Sequence, residues 1–434
     1  MLRNPMRLSF RTATAVAIAA GVLAMPATRP ALADEVEITW ATFWVGTNPL
    51  RPWGELLIDG FNETYAGQYR VVTEEIPGDA QYRDKLRADS VANALPDLIT
   101  GNVTLMRDMR DSGRVVELTP HIEGDPEWQA SFHDDAFDTY RTEAGELYAL
   151  PYSRDYIGIY YNTDHFADAG IESFPETWEE FFAACAALRE AGYVPMANEG
   201  NWTTRLMWAN MIGTQPGGAD WMRQQDTELA LAGVEPVVAG TELLRRMNEE
   251  GCSNEDAFTG QYATAATLFL QGEASMIANG PWMIPNIMGV NTETAEGLGD
   301  RVAYAASPGS ADGRGMIIVT GEAGFAVGSQ DPETIEASIA FLRYLTSDEQ
   351  MLNQANLVSR YGPTRLELTP DQEAALAPML LSIVDQSQDI AHSYPHTGMT
   401  MPNSMIQEFI NTWPVYARGQ IDTEEFLEIL EDAQ

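Results

Sequence analysis

Between Glu37 and Asn102 the chain switches repeatedly between two periodicities, and that order restricts the fold more than any other feature. Glu37-Ile-Thr-Trp-Ala-Thr-Phe43 alternates and is rich in β-forming residues, the pattern of a strand. Over Pro52 to Tyr65, Leu56, Leu57, Phe61 and Tyr65 recur at helical spacing. Tyr69 to Thr73 reads as a second strand and Tyr82 to Ala94 as a second helix, stopped at Leu95-Pro96. Asp97 to Thr100 is a short third strand running into Gly101-Asn102. A β-α-β-α-β order implies a largely parallel sheet with helices on both faces. In such sheets ligands lie beyond the carboxyl ends of the strands. Trp44, Gln81 and Asn102 stand in or near such positions.

Size calls for more than one such body. Arg3, Arg7 and Arg11 stand without any acid ahead of Thr12 to Met25, a run almost wholly small or apolar, and Ala31-Leu32-Ala33 precedes Asp34. A charged start, a short apolar run and an A-x-A site form the layout of a secretory signal peptide. The run is shorter than the ~20 residues that span a bilayer. No Cys lies near the predicted cut to take a lipid, and no Arg-Arg pair marks twin-arginine export. The expectation is an exported, soluble protein without stable membrane insertion. Loss of residues 1–33 leaves 401 of the 434 residues. That exceeds the ~250–300 residues at which single cores stop growing, so at least two lobes are expected.

The formal net charge is −39; the leader holds four Arg and no acid, so its removal takes this to −43. A surface this negative repels nucleic acid and anionic lipid, which excludes both as partners. Cys185 and Cys252 are the only cysteines. In an oxidising compartment they can bridge, but Cys185 sits among helix-forming alanines, where a buried free thiol is as natural. No spacing marks a zinc site. His392 and His396 are four apart with Pro395 between them, which keeps them off a shared helix face.

Further on, Tyr156 to Tyr161 is a buried strand by content, with a break at Pro151. Thr177 and Glu180 form a capping box that opens a helix running to Ala191-Gly192. A helix through Ala265, Leu268 and Phe269 stops at Gly272, and an apolar strand covers Ala274 to Ala278. Asn279-Gly280-Pro281 then breaks regular structure and presents Trp282 from a corner. An indole there serves either as a platform for the apolar face of a sugar ring or as core. Trp202 and Trp208 lie six apart, and Trp208 is the one expected in the core.

In order along the chain stand Pro96-Asp-Leu-Ile99, Leu147-Tyr-Ala-Leu-Pro151, Tyr160-Tyr-Asn162 and Thr177-Trp-Glu-Glu180. Phe269-x-x-Gly-Glu-Ala-Ser-Met276, Gly280-Pro-Trp282 and Met401-Pro-Asn403 follow. Together these resemble the extracellular solute-binding proteins of ABC importers, in the sugar-binding group. The resemblance implies an α/β fold of two lobes, each a mainly parallel sheet flanked by helices, joined by a hinge that the chain crosses several times. It places the first lobe at 34–152 with 323–350 and the second at 153–322 with 351–434. Crossings are then expected near Pro151 to Asp155, in Val319 to Gly324 and around Thr346 to Leu352, the two glycines of the second absorbing backbone rotation.

The resemblance also implies which residues meet ligand: Trp44, Asn102, Asp155, Trp202, Trp282 and, more loosely, Arg360, with Gln81 and Glu322 as further candidates. Two Trp platforms would sandwich a sugar ring while Asp155 accepts from adjacent hydroxyls. Structural roles stay open beside these. Asp155 could pair with Arg154 or cap an element, Asn102 could fill a left-handed turn, Arg360 could serve in a surface ion pair, and Glu322 could shape closure alone. The implied function is capture of a carbohydrate, an oligosaccharide or glycoside, and delivery to ABC permease subunits by a periplasmic monomer that needs no cofactor or metal. A polyol, glycerol-phosphate diester, polyamine or compatible solute on the same scaffold is the alternative. No Gly-x-Ser-x-Gly, His-Glu-x-x-His or P-loop supports catalysis, which leaves a secreted glycosidase as the remote third possibility.

Overall fold

A computed structural model of the protein describes residues 35–434 apart from 47, 49, 143, 225–228, 259–260, 290–296 and 311–312. The expected leader and its cleavage site at Ala33 lie outside the described residues. The first sheet runs β2 (Tyr69–Glu75), β1 (Val36–Thr42), β3 (Leu98–Asn102), β11 (Ala323–Val327) and β4 (Leu150–Pro151). Its first three strands are parallel, as the alternating order requires, and the helices Arg51–Thr64 and Asp79–Ala92 supply the crossovers. One core serves this body, built on Ile38, Trp40, Trp53, Phe61, Leu98 and Phe325, all fully buried.

The second sheet is ordered β12 (His392–Tyr394), β10 (Gly313–Thr320), β5 (Arg154–Asn162), β7 (Ala274–Asn279) and β6 (Val194–Met196). Strands β8 (Val302–Ala305) and β9 (Ser307–Ser310) pair with β5 and β10. Its faces bury different residues of the same strand: Ile157 and Ile159 of β5 enter one core, and Tyr160 the other. Burial on both sides explains why Tyr156 to Tyr161 reads as a continuous apolar run. A mainly parallel sheet was expected here, and the structure corrects this. Only the edge pairs β10–β12 and β6–β7 are parallel, whereas β5 pairs antiparallel with β10, β7 and β8. The reason is topological: β5 leads away from the first body and β10 leads back to it, so as neighbours they must oppose.

Three segments meet where the chain passes between the bodies. Tyr152 N–H donates to the Ala323 carbonyl (3.2 Å), Gly321 N–H to that of Ser153 (3.0 Å) and Arg154 N–H to that of Tyr361 (2.8 Å). Gln354 Nε2 adds a bond to the Tyr152 carbonyl at 2.9 Å. Gly321 has φ +84°, a left-handed value that suits glycine. Gly324 does not share this freedom; it is a buried β11 residue paired with Gly101 and Pro151, so only one of the two glycines fits the expected role. The third crossing falls at a helix. Residue 351 falls inside the helix Asp348–Val358, whose Met351 and Val358 lie in the first core while Ala355 lies in a core of the second sheet, so this helix packs on both bodies.

Local signals account for much of the rest. Thr177 and Glu180 form their capping box, and the helix Trp178–Glu190 ends before Gly192 at φ +96°. Trp208 is fully buried, its Nε1 donating to Thr241 Oγ1 at 2.9 Å. Cys185 on that first helix and Cys252, after the helix Glu235–Glu249, form a disulfide across 67 residues, which decides between bridge and free thiol. A bridge closing a loop of that size restricts the unfolded chain and stabilises by about 2–4 kcal/mol. Replacing both cysteines by Ser therefore should lower the denaturation midpoint by that equivalent. An unchanged midpoint, or thiols titratable without reductant, would contradict the bridge.

Candidate functional site

The crossing of the chain sets the site. Asp155, second residue of β5, is fully buried, and Arg360 reaches it from the segment that follows the helix Asp348–Val358. Arg360 Nε donates to Asp155 Oδ1 at 2.9 Å, and Nη2 bonds Asp155 Oδ2. Ser153 completes a closed set, accepting from Arg360 Nη2 (3.1 Å) and donating to Asp155 Oδ2 (2.8 Å). Burial works against the Arg360 charge, but the adjacent Asp155 carboxylate outweighs it and raises the guanidinium pKa above its ordinary value. Arg154, the expected alternative partner of Asp155, pairs instead with Asp135 at 2.7 Å. Asp155 is therefore an ion-pair anchor, and most of its acceptor capacity is already used by Arg360 and Ser153.

On Arg360 rests an aromatic wall. Its guanidinium lies over the rings of Tyr152 (5.6 Å) and Trp282 (5.4 Å). Trp282 stands at the start of a short turn after β7, and its ring occupies the space where a Cβ on Gly280 would fall. Glycine is thus needed at 280 for close approach, since its φ of −104° would suit any residue. Trp202, at the start of the helix Trp202–Gly213, lies 6.4 Å from Trp282, tilted by 40°. A ring held between two indoles needs about 7–8 Å, two van der Waals separations. The expected sandwich is therefore corrected: the two indoles touch and form one continuous, half-buried surface.

Polar groups border this surface. His396 meets Trp202 edge to face at 5.0 Å. Its Nδ1 accepts from Gly398 N–H at 3.0 Å, which in the neutral ring leaves the proton on Nε2, facing Glu322 Oε2 at 2.5 Å. Glu322 belongs to the β10–β11 crossing, so this bond joins the crossing to the second lobe. Arg205 lies 5.7 Å from the Trp202 ring, held by Asn201 Oδ1 (2.9 Å) and Thr397 Oγ1 (3.0 Å). Burial lowers its pKa to about 10. Glu199 lies beside it and accepts from Asn201 N–H (2.8 Å) and Thr203 N–H (2.9 Å); burial raises its pKa despite those amides.

Five of the eight expected residues, Asp155, Trp202, Trp282, Glu322 and Arg360, are thus joined by direct contacts, through His396 and Ser153. Trp44 is not among them. It is 3% exposed, stacked on Trp53 at 5.4 Å and edge-on to Tyr152 at 5.3 Å, so it supports the wall from behind. Asn102 does not fill a left-handed turn; with φ −73° it caps the helix Val103–Asp111, Oδ1 accepting from Leu105 N–H at 3.1 Å. Gln81 is exposed early in the helix Asp79–Ala92, its side chain folded over Gly78. Arg205, His396 and Tyr152 were not foreseen; only the i, i+3 spacing of Trp202 and Arg205 offered a signal. The geometry supplies an apolar face edged by donors and acceptors, and no group of metal-binding side chains occurs among the described residues. Because the ion pair is sealed from water, Asp155→Asn or Arg360→Met alone should each cost about 3–5 kcal/mol by stranding a charge. The double variant should cost less than the sum, read by denaturant unfolding; additive losses would contradict the pairing.

The pattern of the bacterial extracellular solute-binding protein family matches residues 46–352. A multiple sugar-binding protein of Streptococcus mutans serotype c is 23% identical over 212 residues, 48% of this chain and 49% of that protein. An sn-glycerol-3-phosphate-binding periplasmic protein of Brucella abortus is 22% identical over 255 residues, 57% of this chain and 53% of that one. The chain thus spans about half the length of the curated relatives it matches. Among solved structures, a chitin oligosaccharide binding protein shares the fold with a TM-score of 0.76 at 20% identity, over 92% of this chain and 98% of that one. A protein in complex with raffinose does so at 0.68 and 16%, over 92% and 98%. On the family pattern, which covers well over half of its length, the chain belongs to the bacterial extracellular solute-binding proteins.

Proposed function

We propose that the protein is the substrate-binding component of an ABC importer, taking up a carbohydrate, an oligosaccharide or glycoside, between its lobes. The observation that carries this is the Trp202–Trp282 surface at the crossing, edged by Arg205, Arg360, His396 and Glu322. Sugar rings have apolar faces and a rim of hydroxyls, and this site offers the matching pair of surfaces. The lobes, 34–152 with 323–350 and 153–322 with 351–434, close about the crossing segments. Ligand stabilises the closed form by its differential contacts. From the first lobe, Asn102, at the carboxyl end of β3, and Gln81, in the helix after β2, meet the ligand on closure. The loaded protein, a monomer outside the cytoplasmic membrane after loss of residues 1–33, hands its guest to permease subunits. It binds and does not turn over its ligand. Among the described residues no helix is long and apolar enough to cross a membrane.

A second reading keeps the cleft and changes the guest to a polyol, glycerol-phosphate diester, polyamine or compatible solute. Arg205, which bonds no carboxylate among the described residues, favours an anionic guest over a polyamine within that group. Isothermal titration against a panel of oligosaccharides should give saturable heat with at least one. Trp202→Ala and Trp282→Ala should each weaken that binding at least about tenfold, the equivalent of some 1.5–3 kcal/mol of lost apolar contact. Absence of heat with every sugar and polyol, or variants that bind as wild type, would overturn the proposal.

A further inference from the structure

Two buried guanidiniums flank the indole surface, and their partners differ. Arg360 is matched by the Asp155 carboxylate in a closed, charge-balanced set. Arg205, 6% exposed, has only neutral acceptors: the amide oxygen of Asn201 and the hydroxyl of Thr397. Among the described residues no carboxylate lies within ion-pair distance of it, and its Nη2 makes no hydrogen bond. Buried cations are ordinarily paired, because removing one from water is costly without a counter-charge. Glu199 and Glu322 act on it through space but turn their oxygens elsewhere, to backbone amides and to His396, so they do not hydrogen-bond the guanidinium. Arg205 nevertheless keeps its place over the Trp202 ring, at the indole surface proposed to hold the ligand.

We infer that Arg205 is a specificity-determining residue that receives an anionic oxygen group, a carboxylate or a phosphate, carried by the hydroxyl-rich ligand. This rests on the cleft being the ligand site, as proposed above, and adds that the guest is acidic. The guanidinium fork suits both groups, and Asn201 and Thr397 fix its plane in advance so that little rotamer freedom is lost on binding. The overall excess of acid on the protein does not prevent this. Charges more than about 8–10 Å away across water are largely screened at physiological salt, so the local cation decides.

Native mass spectrometry of the full chain against a pool of neutral oligosaccharides, uronate-containing oligosaccharides and glycerophosphodiesters tests the inference without any variant. Capture of uronate-containing species or of phosphodiesters supports it and says which source supplies the charge. Capture of neutral oligosaccharides alone overturns it and leaves the carbohydrate proposal standing; capture of nothing overturns both. For a captured acidic ligand, Arg205→Gln should weaken binding about 10- to 100-fold, the loss of a charge-assisted contact. Arg205→Lys should recover part of it, and reducing the ligand carboxylate to the alcohol should produce a loss like that of Arg205→Gln. If Arg205→Gln retains wild-type affinity and thermal stability, Arg205 is not the receiving group.

Discussion

A carboxylate on the strand entering the second lobe and a guanidinium on the segment leaving the first are paired where water does not reach. Asp155 and Arg360 are 205 residues apart in the chain, and both lie at the passage between two separately cored bodies. Because each charge is tolerated in the interior only through the other, the pair fixes how the first and third crossing segments lie together. The backbone bonds among Tyr152, Ser153, Gly321, Ala323 and Tyr361 brace the same point. The Arg360 guanidinium then faces Trp282, so the anchor of the crossing is also the footing of the aromatic surface. On the proposed function, architecture and recognition would share one set of atoms.

That arrangement explains why the site is asymmetric. The indoles, Arg205 and His396 all come from the second lobe, while the first contributes the buried Trp44–Trp53–Tyr152 stack behind them. Glu322, at the return crossing, touches His396 and so senses the relation of one lobe to the other. A ligand bound to such a surface gains its first contacts from one lobe, and closure adds the remainder.

How much of this was legible in the sequence follows from the range of each interaction. The Thr177–Glu180 capping box and the start of the strand at Ala274 rest on neighbours a few residues away, and pattern alone locates them. A Trp after a strand can point forward to a cleft or, as Trp44 does, fold back onto Trp53, and a loop sequence does not record which. Asn102 became a cap only because a helix starts at Val103, which polar residues such as Arg107 and Asp108 disguise. The antiparallel centre of the second sheet depends on β5 and β10 being neighbours across 150 residues of chain. Arg205 and His396 gain meaning only from each other and from Trp202. Pro395 removed the one local pattern, a helical His pair, that would have drawn attention to His396.

The central claim is that ligand rests on the surface built at the crossing. Hydrogen exchange measured by mass spectrometry, with and without a bound oligosaccharide, tests this most directly. The account predicts protection concentrated in the peptides carrying Ser153 to Asp155, Glu199 to Arg205, Gly280 to Trp282, Glu322, Arg360 and His396. Protection confined to other parts of the molecule, with these peptides exchanging as in the free protein, would contradict it.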